Sequence, residues 1–306
     1  MKPTGGTSFE EDLARQKLLY VIATGSRFGR FWVRRLKTVA YFPASNALIR
    51  SGESTIQLAG FGMKLDPSSW QDLRVWRAHK QNRGYEPGTT ALLTSLLRPG
   101  MTFVDVGANN GYFSLLAASI VTPSGHVFAF EPAPETYQRL LRNVAINGFA
   151  NVKAQALAVG ARQGRAFLHS MNHNDGAASL LALGREFHPI EVAIDSLDSQ
   201  LRGRSVDVVK VDVEGFEEQV LEGMGELVAQ NPQLRLICEY NYPLLREKGY
   251  RGDELLDQLS RLGFSAWEIP EVGQGLSSIH SYDDLSRACA NLYCTRDSQD
   301  AAVRSG

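Results

Sequence analysis

The stretch Thr102-Phe103-Val104-Asp105-Val106-Gly107-Ala108-Asn109-Asn110-Gly111-Tyr112-Phe113 decides the fold. It begins as a buried strand: Phe103, Val104 and Val106 are apolar and β-favouring, and only Asp105 interrupts them. It then turns. Gly107 and Gly111 bracket the turn, and Asn109 and Asn110 are the non-glycine types that best tolerate positive φ. It ends as a helix from Tyr112 to Ile120, with Phe113, Leu116, Ala117 and Ile120 at helical spacing. Strand, tight turn and helix form the first βα unit of a doubly wound sheet, whose ligands sit outside the carboxyl ends of the strands. Gly107 leaves room for a ligand on the backbone, and the free amides of the helix start are expected to receive a carboxylate or phosphate.

The glycine spacing narrows the ligand. The loop lacks the middle glycine of the dinucleotide fingerprint, and no Gly-Lys-Ser/Thr follows, so it is not a P-loop. Further on, α/β alternation continues. Val127–Phe130 reads as a second buried strand, 136–147 as a helix and Val152–Val159 as a third strand. A long stretch, Gly164–Leu201, carries strand-like pieces at Arg165–His169 and Ile190–Ile194 around a polar middle. Val206–Val213 reads as a fourth strand, Leu234–Asn241 as a fifth, Phe264–Ile269 as a sixth and Ala290–Thr295 as a seventh. Before the decisive stretch, 53–66 suggests a β-hairpin and Ser68–Gln81 a helix. Pro99-Gly100 stops a helix over Ala91–Leu97. The expected division is an extension over 1–84, a core domain over 85–297 and a disordered tail over 298–306.

Bulk properties exclude several classes. The chain has 306 residues and a formal net charge of −1, so global charge does not argue for nucleic acid. Three cysteines, Cys238, Cys289 and Cys294, show no metal or redox spacing, which favours a reducing compartment and a cytoplasmic location. No apolar run reaches membrane-spanning length. Residues 11–42 read as mostly helical, and Arg27–Lys37 interleaves basic and aromatic residues. That segment reads first as a helix that packs its aromatic side on the core domain and solvates its arginines, with peripheral contact with an anionic membrane as the alternative.

Two further landmarks carry chemistry. Glu131 ends the second strand about twenty residues beyond the turn, where an acid accepts both ribose hydroxyls of a nucleoside; Pro132 stops the strand there. Lys210, Asp212 and Glu214 alternate along the fourth strand and so are expected on one side of it, which is costly in a parallel sheet unless they pair or reach a cleft. The alternative for Lys210 is a buried ion pair that only holds the strand end.

The segments Val104–Ser114, Phe130–Pro134, Asn143–Gly148 and Lys210–Gly215 together resemble the FkbM-type family of class I S-adenosylmethionine (SAM) methyltransferases, in family order. The resemblance implies an α/β, Rossmann-like fold: a seven-stranded, mostly parallel sheet with helices on both faces, here preceded by a mainly helical extension. It implies SAM as cofactor and O-methylation of a small molecule, sugar or other secondary metabolite. Carried over, Asp105, Gly107, Ala108, Asn109, Gly111 and Tyr112 would shape the methionine end of the pocket. Glu131 and Pro132 would lie at the ribose, Ala158 at the adenine and Asp212 beside the methyl. A hydroxyl acceptor also needs a base; Asp212, Glu214 and His173, on a polar loop, are the candidates. Asp212, Glu239 and Asn241 at two strand ends would suit Mg²⁺ as three oxygen ligands. Two other readings stand beside this one: a nucleic-acid methyltransferase using the basic segment, and a non-catalytic partner module that keeps the fold.

Overall fold

A computed structural model describes residues 43–170, 178–179, 188–241, 253–271, 275–287, 289–297, 300 and 302. His173, the basic segment Arg27–Lys37 and most of the expected tail lie outside the described residues. The chain divides into two units, 1–51 and 52–306. The first is described over residues 43–51, which are helical.

The second unit opens with β1 (Thr55–Leu58) and β2 (Phe61–Lys64), an antiparallel hairpin. Helix α1 (Trp70–Lys80) follows, with Ser69 capping it by accepting from the Asp72 N–H. Helix α2 (Pro87–Leu96) starts four residues earlier than the sequence suggests, because Pro87 fits the first helical turn. The decisive stretch then folds as read: β3 (Thr102–Val106) runs into α3 (Tyr112–Val121). β4 (His126–Phe130), α4 (Pro134–Asn147) and β5 (Val152–Gln155) complete the first half.

The expected third strand is broken. Val152–Gln155 pairs with β4, but the chain leaves that sheet and Ala158–Val159 (β6) pairs with another. With β7 (Gly164–Ser170), β8 (Ala178–Ser179) and β9 (His188–Asp195) it makes a second, four-stranded sheet in the order β6-β9-β7-β8. A short helix, α5 (Leu197–Gln200), leads to β10 (Val208–Val211), which is four residues long rather than the eight expected. Then come α6 (Glu217–Glu222), α7 (Gly225–Gln230), β11 (Arg235–Asn241), α8 (Glu254–Arg261), β12 (Ser265–Ile269), β13 (Ser277–Ile279) and β14 (Cys289–Thr295).

The main sheet has the order β13-β12-β14-β11-β10-β3-β4-β5. Strands β3, β4, β5, β10 and β11 run parallel, and β14 runs antiparallel between β11 and β12. This is a Rossmann-like α/β fold, with one strand more than the seven expected: β13 folds back on β12 and caps that edge. The centre is dry. Val104, Val106, Phe130, Val209 and Val211 are essentially unexposed, each burial contributing about 1.5–3 kcal/mol. Strand order reverses at β3, so its carboxyl end, between those of β4 and β10, opens the crevice where ligands of such sheets bind. Among the described residues, no helix is long and apolar enough to cross a membrane.

Candidate active site

The turn after β3 holds three residues at positive φ: Gly107 (80°), Asn109 (51°) and Gly111 (94°). The need for glycine at 107 differs from the expected one. A Cβ there would lie 1.9 Å from the Asp212 carbonyl oxygen, so the neighbouring strand end, rather than a ligand, fills that space. The amides of the turn are also engaged. Gly107 and Ala108 both donate to the Phe130 carbonyl, Asn109 to Glu131 Oε2 and Asn110 to Asn109 Oδ1. Gly111 donates to the Ala108 carbonyl and Tyr112 to Asn110 Oδ1. The turn closes on itself, and its amides from Gly107 to Tyr112 all have partners within the chain.

Glu131 sits at the end of β4, 7% exposed. Its Oε2 accepts the Asn109 N–H at 2.9 Å and its Oε1 the Ala133 N–H at 2.8 Å. A carboxylate offers about four acceptor positions, so two remain for a nucleoside diol. Burial pushes the carboxyl up to about 7, although both backbone donors oppose the shift. Pro132 beside it is partly buried, while Ala108, Tyr112 and Ala158 are buried. The Tyr112 hydroxyl accepts the Tyr85 N–H at 3.1 Å, so this ring faces the segment before the sheet domain.

Below the turn lies a chain of charges. Asp105 is buried; one oxygen accepts from Ser114 Oγ at 2.6 Å, and Oδ1 has no hydrogen-bond partner among the described residues. Burial pushes its carboxyl up, against the pull of Lys210 and Ser114. Lys210 stands opposite Asp105 across the β3–β10 ladder and is 2% exposed. Its Nζ donates to Asp212 Oδ2 at 2.7 Å and lies 4.8 Å from the centre of the Phe113 ring. Burial works against the Lys210 charge, but Asp212 and Asp105 outweigh it and hold its pKa above the usual lysine range. The buried pair considered for Lys210 is therefore present, and it also delivers a charge to the site.

Strand β10 ends at Val211, so the expected alternation through Glu214 does not continue. Glu214 lies in the following loop at φ 52°. The loop is shaped by Glu217 at the start of α6, whose Oε1 accepts the Val213 and Gly215 N–H groups at 3.1 and 3.0 Å. Burial raises the Glu217 carboxyl to about 7. This arrangement gathers Asp212, Glu214 and Glu239, which offer one carboxylate oxygen each within 4.8 Å of one another. Burial, then Asp212, Glu214 and Glu217, push the Glu239 carboxyl well above its usual range, and its buried Oε2 accepts no hydrogen bond from the described residues. Asn241, expected beside Asp212 and Glu239, accepts from Cys289 Sγ at 3.3 Å.

Glu239 also lines a cleft bounded by the start of α2 and the ends of β11, β12 and β14. Arg74, Glu86, Arg287 and Asn291 give its described walls a polar character, and none of them is aromatic. Arg74 is exposed there, its guanidinium 5.0 Å from the centre of the Tyr85 ring. Asn291 Nδ2 donates to Glu86 Oε2 and Thr89 Oγ1, tying β14 to α2.

Sequence reading missed three supports of this site. Glu217 carries no signal beyond acidity two residues after a glycine. Asn143 and Asn147 belong to a quoted motif, yet their task, bonding β2, needs a partner about 80 residues away. Asp72, three residues after Ser69, reads as helix-start chemistry; its carboxylate instead bonds the Asp66 N–H and Asn110 Nδ2.

Residues 105–266 match a family model described as the methyltransferase FkbM domain. A 145-residue match is 28% identical to Methyltransferase 1 of Beauveria bassiana, covering 40% of this chain and 58% of that protein. A 68-residue match is 40% identical to a protein-L-isoaspartate O-methyltransferase of Aeropyrum pernix, covering 22% of this chain and 26% of that one. Neither match reaches two thirds of the relative's own length. Among solved structures, the methyltransferase FkbM of Methylobacillus flagellatus is similar over 85% of this chain and 60% of its own, at 16% identity and a TM-score of 0.40.

Proposed function

The chain belongs to the FkbM methyltransferase family, and on that premise we propose that it transfers a methyl group from SAM to a hydroxyl oxygen of a small molecule, sugar or glycan. The observation that carries this reading is the meeting of Glu131 and Asp212 on the two sides of the Gly107 turn. Glu131 grips the turn through the Asn109 N–H, and the Asp212 backbone packs into the space above Gly107. Glu131 would hold the ribose diol and Asp212 would lie at the reacting end. Bound SAM supplies an electrophilic methyl group. The chain's own residues must align the acceptor, exclude water and take its proton. Asp212 or Glu214, or His173 outside the described residues, would take that proton, with Lys210 fixing the Asp212 carboxylate. The polar described walls, with Arg74, Glu86, Arg287 and Asn291, suit a hydroxylated acceptor.

Calorimetric titration with S-adenosylhomocysteine tests the cofactor; methyl transfer from labelled SAM to a panel of hydroxylated acceptors tests the reaction. Micromolar binding is expected. No binding to the folded chain would promote the partner-module reading, and salt-sensitive RNA binding with methyl transfer to it would promote the nucleic-acid one. Asp212→Asn is expected to lower kcat about 10²–10⁴-fold, the usual range for loss of a positioned base. S-adenosylhomocysteine should still bind that variant.

A divalent ion is a second component of this reading, favoured by the three gathered carboxylates. Asp212, Glu214 and Glu239 would hold Mg²⁺ as hard oxygen ligands, which would supply Lewis-acid polarisation of the acceptor oxygen. Loss of activity in chelator with recovery in Mg²⁺ is the expected result. Full activity in chelator would remove the ion from the mechanism and leave Asp212 and Glu214 alone.

A further inference from the structure

The segment before the matched family domain is bonded directly to the cofactor turn. Asp72, on α1, is unexposed. One of its oxygens accepts from Asn110 Nδ2 at 2.5 Å and the other from the Asp66 N–H at 2.8 Å. Asn110 is itself 1% exposed, and its Oδ1 accepts the Tyr112 N–H, so its amide has one orientation. The Asn110 carbonyl accepts from Asn143 Nδ2, and Asn143 Oδ1 accepts the Lys64 N–H of β2. Arg139 pairs with Asp66 at 3.1 Å, and Asn147 exchanges two hydrogen bonds with the backbone of Gly62. The rings of Phe61 and Tyr85 meet Tyr112 edge-on at 5.6 and 5.3 Å.

A turn with three residues at positive φ is costly and persists only where its surroundings over-determine it. A buried carboxylate is costly to keep unless its bonds do something an apolar side chain cannot. Here those bonds reach Asn110, between the two glycines.

We propose that Asp72 is a positioning residue of the cofactor site: it fixes the Asn110 side chain and through it the Gly107–Gly111 turn, which makes the segment from β1 to α1 part of the methyl-donor site. The proposal rests on the cofactor reading above. Glu131 bonds the turn at Asn109 from the ribose side and Asp72 bonds it at Asn110 from behind, so the two carboxylates hold adjacent residues.

The test is an exchange of the pair. Asp72→Asn alone leaves an amide that cannot accept from both the Asp66 N–H and Asn110 Nδ2. Asn110→Asp alone sets two carboxylates against each other. The double variant Asp72→Asn/Asn110→Asp rebuilds every bond: the amide at 72 accepts from Asp66 and donates to 110, and the carboxylate at 110 still accepts from Tyr112. S-adenosylhomocysteine affinity and the ligand-free unfolding midpoint are read separately, well below that midpoint for the former. Each single variant is expected to bind about tenfold or more weakly, as for loss of one charge-assisted hydrogen bond. The double variant is expected to return close to wild-type affinity. Folded single variants with wild-type affinity would overturn the proposal. So would a double variant that recovers the midpoint but not the affinity, a comparison that stands even where the single variants fail to fold. Absence of binding by the folded wild-type chain would overturn the cofactor reading itself, and this inference with it.

Discussion

Gly107→Ala is expected to cost about 3–5 kcal/mol of folding stability and to remove S-adenosylhomocysteine binding from whatever remains folded. Two effects add. The residue sits at φ 80°, which disfavours any side chain. The new Cβ would also lie 1.9 Å from the Asp212 carbonyl oxygen and 2.9 Å from its carbon. Backbone is on both sides of that contact, so relief requires β3 and β10 to part at their carboxyl ends, where the site is built. Gly148→Ala separates the two effects. It has a similar φ of 65° and nothing within 4 Å of its Cβ, so only the backbone term of about 1–2 kcal/mol should appear. Gly111→Ala should fall between them, because its obstacle is the end of the Leu140 side chain at 2.7 Å. Thermal or urea unfolding of the three variants checks the order. A Gly107→Ala protein as stable as Gly148→Ala would show that the strand ends yield easily.

The second large effect is expected at Glu131. Glu131→Ala should weaken S-adenosylhomocysteine binding about 100-fold or more, since it removes charge-assisted bonds to the ribose and leaves the Asn109 N–H without its acceptor. Wild-type affinity should also depend on pH in a defined direction. Burial holds the free carboxyl at about 7, so below that pH the empty site carries a proton. Ribose hydroxyls donate to the charged form, which lowers the pKa in the complex. Binding then releases a proton below pH about 7, and affinity falls by up to about tenfold per pH unit as pH drops. Titrations in buffers of different ionisation enthalpy measure that proton. Glu217, also near 7, contacts the Val213 and Gly215 amides instead. Glu131→Gln therefore decides the origin: the proton release should vanish in it, and persistence would reassign the titration to another group.

Sequence alone determined what local physics controls. The β3–turn–α3 unit is legible because a buried strand, two bracketing glycines and a helical apolar period leave one reading. Glu131's place at a strand end is legible because Pro132 stops a buried apolar run there, and the hairpin and helix ahead of the domain follow from alternation and helical apolar spacing. Tertiary structure decided what depends on distant neighbours. The reason for Gly107 is a carbonyl about a hundred residues later, and the turn's amides are consumed by partners no spacing displays. Glu214 joins Asp212 and Glu239 through a loop bent by Glu217, where alternation along a strand predicted a different route. The third strand breaks because its last residues find β9, a partner the local pattern cannot reveal. Asp72 looks like a helix cap and acts on the cofactor turn, since a short pattern constrains dihedrals and faces, whereas a buried carboxylate is assigned by the donors that the folded chain brings to it.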